Sequence, residues 1–167
     1  LWLLTNTLYR VRIEGDRHIP AGGGLLVAKQ ISPVDALIIG SACDRAVRFM
    51  IFRPLYEARA VNWLFRRMQA IPIAADDSPE SRRASLARAR LEIQDGHLVC
   101  VFADGAGAGT GGLPRLEDCF ERIACDLNAP IVPVCLDGAW SSPLRYDRGR
   151  VRLEWPGRLL TPVRVVF

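Results

Sequence analysis

The stretch LLVAKQISPVDALII, residues 25–39, joins a short apolar run to the beginning of a helical pattern. Glycines precede the run, which predicts a turn followed by a short buried strand. Ser32 is a residue type that commonly caps helices, and Pro33 suits the first helical position. The stretch therefore predicts a buried strand that leads directly into a helix, with the helix covering SPVDALIIGSAC.

Outward from this unit, predicted strands and helices alternate along the chain. The predicted strands are YRVRIEGDRHIP, AVRFMIF, AIPIA, HLVCVFAD, PIVPVCLDG and RVRLEWPG, of which RVRLEWPG could close the sheet. In EARAVNWLFRRM the helical spacing puts Val61, Leu64, Phe65 and Met68 on one face. Such alternation implies an α/β fold, and we expect a mixed, mostly parallel sheet flanked by helices.

Two further segments are predicted to be helices. SPESRRASLARARLEIQDG has Ser78 as its cap and Gly96 as its end. PRLEDCFERIACDLN is predicted to point Leu116, Phe120 and Ile123 inward.

Length and charge limit the classes of protein to consider. The 167 residues suffice for one domain with a hydrophobic core. The chain begins at Leu1 rather than Met, so we expect a single domain, residues 1–167, excised from a longer chain. Lys29 is the only lysine among the 22 basic residues, and the net charge is +4. This mild charge suits an anionic membrane or an acidic carrier and does not indicate nucleic acid.

The cysteines, histidines and tryptophans carry structural expectations. The chain contains no C-x-x-C pair, and its two histidines are far apart in sequence, so we expect no metal site. We also expect no cofactor. Trp63 and Trp155 are expected in the core. Buried free thiols are predicted for the five cysteines, Cys43, Cys100, Cys119, Cys125 and Cys135.

VFADGAGAGTGG, residues 101–112, contains G-x-G-x-x-G at Gly107, Gly109 and Gly112. A dinucleotide-binding loop needs its first glycine where the strand ends, but Ala103 to Ala106 intervene here. Asp104 would also repel a pyrophosphate. We therefore disfavour a dinucleotide site.

The order of the motifs resembles that of the glycerolipid acyltransferases, the lysophosphatidate and lysophospholipid acyltransferase family. LLVAKQISPVDALII is similar to a strand followed by Asn-His-x-Ser-x-x-Asp, with Gln30 at the histidine position and Ser32 and Asp35 matching. RFMIFRPLYEARAVNWLFRRMQAIPIA resembles the second block, VFADGAGAG the Phe-Pro-Glu-Gly-Thr-Arg block, and APIVPVCLDGAW the Pro-Ile-Val-Pro-Val strand. The resemblance extends from Tyr9 to Gly157 and implies a glycerol-3-phosphate acyltransferase-like fold.

This resemblance implies a reaction and a set of site residues. In the family, a histidine takes the proton of a lysophospholipid or glycerol phosphate hydroxyl, and an aspartate orients the imidazole. The hydroxyl then attacks an acyl thioester on coenzyme A or acyl carrier protein. The implied catalytic positions are Gln30 and Asp35. The implied substrate-binding residues are Ser32, Asp104, Gly105, Ala106 and Gly107.

The polar positions depart from the family pattern. Gln30 cannot serve as a base, because a carboxamide has no basic lone pair near neutral pH. Ala75 and Gly107 stand where arginines are expected, and Ala106 replaces a threonine or lysine. Three functions stay open: an acyltransferase with a substituted base, a pseudoenzyme that binds lipid or a partner domain, and a structural module.

Several expectations about the site follow from this alignment. Gln30, Asp35 and Asp104 should converge at one end of the sheet, with Gln30 and Asp104 within about 15 Å of each other. Asp35 could equally cap its helix, and Lys29 is expected to be solvated or ion-paired rather than a substitute base.

The resemblance also implies an apolar groove for the acyl chain. Membrane contact is expected to be peripheral, through Leu1 to Leu4 and apolar surface near that groove. The predicted location is the cytoplasmic face of a membrane, with the domain peripheral or tethered by a parent chain.

Overall fold

The computed structural model describes residues 9–29, 34–74, 76–102, 123–125, 128–138, 144–147, 150–153 and 161–167. The strands in this part are β1 Tyr9–Glu14, β2 Gly24–Ala28, β3 Val47–Phe52, β4 Ile71–Ile73, β5 Leu98–Phe102, β6 Ile131–Asp137, β7 Leu144–Asp147, β8 Arg150–Leu153 and β9 Thr161–Val166. The α-helices are α1 Asp35–Ala42, α2 Arg53–Glu57, α3 Asn62–Arg67 and α4 Pro79–Gln94, and a 3₁₀ turn covers Asp16–His18.

The main sheet has seven strands in the order β1-β9-β6-β2-β5-β3-β4. Five neighbouring pairs are parallel, and only the pair of β6 with β9 is antiparallel. The expected mixed, mostly parallel sheet is thereby confirmed. Strand β2 lies between β6 and β5, so the unit at residues 24–42 starts from the middle of the sheet.

Strand β5 shows why the sheet is covered on both faces. All five of its residues are buried, as expected for a parallel strand between two layers of helices. Cys100 and Phe102 pack into the cluster that contains α1 and α3 residues. Val99 and Val101 pack into a second cluster, with Leu86, Ala89 and Ile93 of α4. Alternate side chains therefore bind the two helical layers to one sheet.

The ends of α4 match the sequence prediction. Ser78 Oγ accepts a hydrogen bond from the Ser81 amide at 3.2 Å, which is a side-chain N-cap. Gly96 has a φ of 88°, a left-handed conformation that glycine adopts without steric cost. This turn directs the chain from α4 straight into β5.

Close packing holds the amino edge of the parallel strands, where β2 and β5 begin. A Cβ on Gly23 would lie 1.8 Å from the carbonyl oxygen of Ile93, so only glycine fits there. Arg45 donates hydrogen bonds to the carbonyl oxygens of Pro20 at 2.6 Å and Gly22 at 2.8 Å. It also donates to the carbonyl of Gly96. One guanidinium thus joins the entry to β2 to the end of α4.

Two expectations about individual elements are wrong. Trp63 is 68 % exposed, because it lies on the side of α3 opposite the buried Phe65 and Met68. Strand β8, within the segment RVRLEWPG, pairs with β7 in a separate two-stranded sheet. The main sheet instead takes in β9 from the end of the chain, between β1 and β6. Trp155 lies outside the described residues.

The cysteine expectation is correct for two residues and wrong for two. Cys43 and Cys100 are buried and free. Burial, with a smaller contribution from Asp44, raises the pKa of the Cys43 thiol to about 12. Cys125 and Cys135 are free but exposed. Cys135 is exposed because it lies on the outward face of β6, whose alternate residues are exposed. Cys119 lies outside the described residues.

Only one of the three inward residues predicted for the helix after the glycine loop can be compared with the structure. Ile123 is fully buried, as predicted for its inward face. Leu116 and Phe120 lie outside the described residues.

Candidate functional site

The register of β2 and β5 determines where the two motif-bearing segments leave the sheet. Ala28 and Phe102, the last residues of these parallel strands, are direct Cα partners. Adjacent strands lie about 4.8 Å apart, so the chain after β2 and the chain after β5 start side by side. The two segments therefore begin at one edge of the sheet, its carboxyl edge.

Most of the predicted site residues come soon after β2 or β5 in the sequence, but they lie outside the described residues. These are Gln30, Ser32, Asp104, Gly105, Ala106 and Gly107. Their convergence within about 15 Å stays a prediction, which the pairing of Ala28 with Phe102 supports.

Asp35 is the predicted site residue that the structure describes. It is the first residue of α1, and its exposure is 0 %. Burial raises the pKa of the Cys100 thiol, and Cys43 and the Asp35 charge raise it further. Asp35 begins the helix whose residues Ala36 and Ile38 share a core cluster with Cys100 of β5. The helix dipole stabilises a carboxylate in the first turn of a helix. A carboxylate that served only as a solvated cap would be exposed, whereas Asp35 is fully buried.

The beginning of α1 differs from the predicted capping arrangement. The helix starts at Asp35, with Val34 in the position before it, and the amides of Leu37 and Ile38 bond to the Val34 carbonyl. Ser32 and Pro33 lie outside the described residues. The Val34 side chain makes no capping hydrogen bond. The acidic residue in the first turn is Asp35, the first residue of the helix.

Lys29 immediately follows β2 and is exposed. An exposed ammonium is the ordinary setting for a solvated or ion-paired lysine, which supports the prediction for this residue. A lysine that acts as a base needs a desolvated environment, and the exposed position does not provide one.

An ion pair links the ends of β3 and β4 at the same edge. Arg53 follows β3, and its Nε and Nη2 donate to the two carboxylate oxygens of Asp77 at 2.7 and 3.0 Å. Arg53 Nη2 also donates to Ser81 Oγ at 3.0 Å. Asp77 in turn accepts from the Ala74 amide at 2.8 Å. Together these bonds connect β3, β4 and the first turn of α4.

Arg53 and Asp77 shift each other's pKa. The hydrogen bond from Arg53 lowers the pKa of Asp77, and the Ala74 amide adds to this effect against the opposing effect of burial. The same bond raises the pKa of the Arg53 guanidinium. Arg53 is therefore a cation near the candidate site whose charge an internal carboxylate already neutralises.

Sequence reasoning missed this pair, although a signal was present. Arg53 directly follows one apolar strand, and Asp76 and Asp77 follow the next. Polar residues at the ends of neighbouring parallel strands meet at one edge, so their proximity could have been expected.

The described residues contain no group of three or more histidine, cysteine, aspartate or glutamate side chains placed to hold a metal ion. What this edge does offer, in the described ranges, is a buried carboxylate, an exposed ammonium and a neutralised guanidinium. In a triad-like arrangement, a buried carboxylate orients a hydrogen-bond donor such as an imidazole, and the imidazole takes the hydroxyl proton.

The fold has a counterpart among solved structures. It is similar to the 1-acyl-sn-glycerophosphate (LPA) acyltransferase PlsC from Thermotoga maritima, with a TM-score of 0.65 and 21 % identity. The similarity covers 95 % of this chain and 59 % of the Thermotoga chain. The domain therefore has the PlsC acyltransferase fold.

Sequence comparison assigns the family. The family model described as Acyltransferase matches residues 10–137, more than half of the chain, and the chain belongs to that family. A probable 1-acyl-sn-glycerol-3-phosphate acyltransferase of Mycoplasma pneumoniae is 27 % identical over 134 residues. That alignment covers 78 % of this chain and 50 % of the Mycoplasma protein, so the chain spans half the length of this relative.

Proposed function

We propose that this domain acts on the glycerolipid acyltransferase substrates but transfers acyl groups poorly, because Gln30 replaces the general base. The acyl donor would be a thioester of coenzyme A or acyl carrier protein. The acceptor would be the hydroxyl of a lysophospholipid or glycerol phosphate. The observation that carries the proposal is the fully buried Asp35, which keeps its place five residues after a position that no longer holds a histidine.

The chemical reason for low turnover is the loss of proton transfer. Deprotonating the acceptor hydroxyl needs a base, and the Gln30 carboxamide can accept a hydrogen bond but not the proton. Loss of a positioned base slows catalysis by about 10²–10⁴-fold. Asp35 would orient the imidazole of a histidine, but the position five residues before it holds the Gln30 carboxamide instead.

The acceptor side of the site supports the same proposal. Ala75 stands where the family has an arginine, and Arg53, whose partner Asp77 is two residues after Ala75 in the chain, already donates to that carboxylate. A phosphate on the acceptor would have to compete with that bidentate pair. Poor positioning of the acceptor would lower turnover further.

We further propose that the domain works at the cytoplasmic face of a membrane, as a peripheral or tethered domain. The proposed acceptors reside in or beside bilayers. No helix in the described ranges is long and apolar enough to cross a membrane. Leu1 to Leu4, the predicted contact, lie outside the described residues, and deleting these four residues while following flotation with liposomes tests their contribution.

The test of the catalytic proposal is a comparison of acyl transfer by designed variants. Thioester consumption and labelled phospholipid product are measured for the native protein, Gln30→His, and Lys29→Asn combined with Gln30→His. The double variant removes a cation that would lower the pKa of a neighbouring imidazole. We expect product formation at the background rate from the native protein and a rise of about 10²-fold or more in at least one variant.

Gln94→His is the matched control, because Gln94 is exposed at the end of α4, which packs at the amino edge of the sheet, whereas Asp35 follows the carboxyl edge. It adds the same imidazole without placing it before Asp35, so its turnover should equal that of the native protein. Robust turnover by the native protein would reject impaired catalysis. Binding of acyl-CoA and lysophospholipid without turnover in any variant would favour the alternative, a pseudoenzyme domain that binds lipid.

A further inference from the structure

The connection between β3 and β4 carries an exposed tryptophan that the fold does not use. Trp63 is 68 % exposed, although tryptophan is the largest apolar side chain and usually buries most of its surface. Its exposure follows from helical geometry, because it lies about 200° around α3 from Val61. Trp63 is therefore available to something outside the domain.

The opposite side of α3 accounts for the stability of the helix. Phe65 and Met68 are buried, and Tyr56 stacks on Phe65 with ring centroids 6.4 Å apart. Asn62 Nδ2 donates to the Tyr56 carbonyl at 2.7 Å and joins the helix to the segment before it. The helix is thus held without Trp63, and replacing Trp63 should leave the fold intact.

Three arginines lie close to the tryptophan in sequence. Arg66 and Arg67 are three and four residues after Trp63 on the helix, so their side chains are its neighbours on the surface. Arg59 precedes the helix, and all three are exposed. The only acidic residue between positions 57 and 69 is Glu57. We name Arg59, Trp63, Arg66 and Arg67 the interfacial patch.

Within the part of the chain that the structure describes, no ion pair uses an arginine of the interfacial patch. The salt bridges of the described ranges use Arg48, Arg53, Arg88 and Arg164 instead. Cations near the end of a helix also interact favourably with its dipole, but that effect does not explain an exposed tryptophan beside them. An amphipathic ring flanked by available guanidinium groups matches the polar and anionic zone of a bilayer.

We propose that the interfacial patch docks the domain on the surface of an anionic bilayer. Trp63 would insert its ring at the level of the headgroups, and the three arginines would contact lipid phosphates and carboxylates. The connection that carries the patch leaves the sheet at the carboxyl edge of β3, the edge that carries the candidate site. Docking there would bring a lipid acceptor beside that edge, and in this respect the inference rests on the proposed function.

Vesicle binding tests the inference without any acyl transfer. The protein is sedimented with vesicles of phosphatidylcholine containing about one third phosphatidylserine, and with pure phosphatidylcholine vesicles, in the absence of donor and lysolipid. We expect preferential binding to the anionic vesicles. Trp63→Ala and the pair Arg66→Gln with Arg67→Gln should each weaken that binding about tenfold.

The control variants remove an exposed apolar side chain or two arginine charges outside the interfacial patch. Leu91→Ala deletes another exposed apolar side chain, and Arg10→Gln with Arg12→Gln removes two exposed charges from β1. Both controls should bind vesicles like the native protein, and thermal melts should show that all variants fold. Because no substrate is present, a failed acyl-transfer assay would leave this result unaffected.

The inference would be overturned if the native protein did not bind anionic vesicles, or if the patch variants bound as tightly as the controls. Self-association that disappears in Trp63→Ala, without vesicle binding, would also overturn it and identify a protein contact instead.

Discussion

The two edges of the parallel strands are built from different chemistry. At the amino edge, Arg45 donates to three backbone carbonyls, and Gly23 lies directly against the backbone of Ile93. At the carboxyl edge, side-chain charges meet: Asp35 is buried and Arg53 pairs with Asp77. The amino edge depends on backbone fit, whereas the carboxyl edge contains groups that could instead contact a ligand. This difference separates residues that serve stability from those available for function.

The largest effect on stability is expected at the amino edge. Gly23→Ala would put a Cβ 1.8 Å from the Ile93 oxygen, so β2 and α4 would have to separate. We expect a loss of about 3 kcal/mol in the free energy of unfolding, at the upper end for overpacked sites. Chemical denaturation measures it. Gly22→Ala is the control, since a Cβ there meets nothing within 4 Å and should change stability by less than about 0.5 kcal/mol. Equal losses in the two variants would show that the amino edge does not depend on this contact.

A smaller effect is expected from the ion pair at the carboxyl edge. Asp77→Asn removes a bidentate, charge-assisted pair from a side chain that is only 6 % exposed, so we expect a loss of about 2 kcal/mol at pH 7. Urea unfolding compares it with Asp76→Asn, a change at an exposed neighbour that should be nearly neutral. A loss in Asp76→Asn as large as in Asp77→Asn would contradict the assignment.

The same pair predicts a dependence on pH. The pKa of Asp77 is lowered in the folded protein, so its contribution is fully present above the ordinary aspartate pKa of about 4. It is lost as the pH falls through the lowered pKa. The stability difference between native protein and Asp77→Asn should therefore be constant from pH 7 to about 5 and shrink below about 4. A difference unchanged at pH 3 would mean that the carboxylate charge does not stabilise this edge.

The smallest effect is expected at the N-terminus of α4. Ser78→Ala removes the side chain that accepts from the Ser81 amide and should cost about 1 kcal/mol. Ser78→Asp keeps an acceptor there and should restore most of the loss. Thermal unfolding of both variants measures these changes in stability. If Ser78→Asp were as destabilised as Ser78→Ala, the loss would come from removing the serine hydroxyl and not from losing an acceptor that caps the helix.

Periodicity predicted the elements that lie within one chain segment. The stripe of Val61, Leu64, Phe65 and Met68 indicated the buried face of α3 correctly, and Ser78 and Gly96 marked the ends of α4. The error at Trp63 arose because the general preference of tryptophan for burial was weighed above its position off that stripe. The helical period alone would have placed Trp63 on the surface.

Pairing between distant segments could not be predicted in the same way. RVRLEWPG and TPVRVVF have similar strand patterns, and nothing local distinguishes the strand that pairs with β7 from the strand that enters the main sheet. The Arg53 and Asp77 partners are 24 residues apart, so periodicity gave no sign of the pair; only their positions after two successive apolar strands did. The position of Asp35 after a buried strand did indicate its place at the carboxyl edge, because that relation is local.

The central claim is that this domain keeps the acyltransferase scaffold but lacks the base. The most direct measurement is the pH dependence of acyl transfer by the native protein and by Lys29→Asn with Gln30→His. A restored imidazole would give turnover that rises with pH through a pKa of about 6.5 or somewhat above, since Asp35 favours the charged form. We predict this profile for the variant and background turnover for the native protein at every pH. Native turnover equal to that of the variant, with the same profile, would contradict the claim.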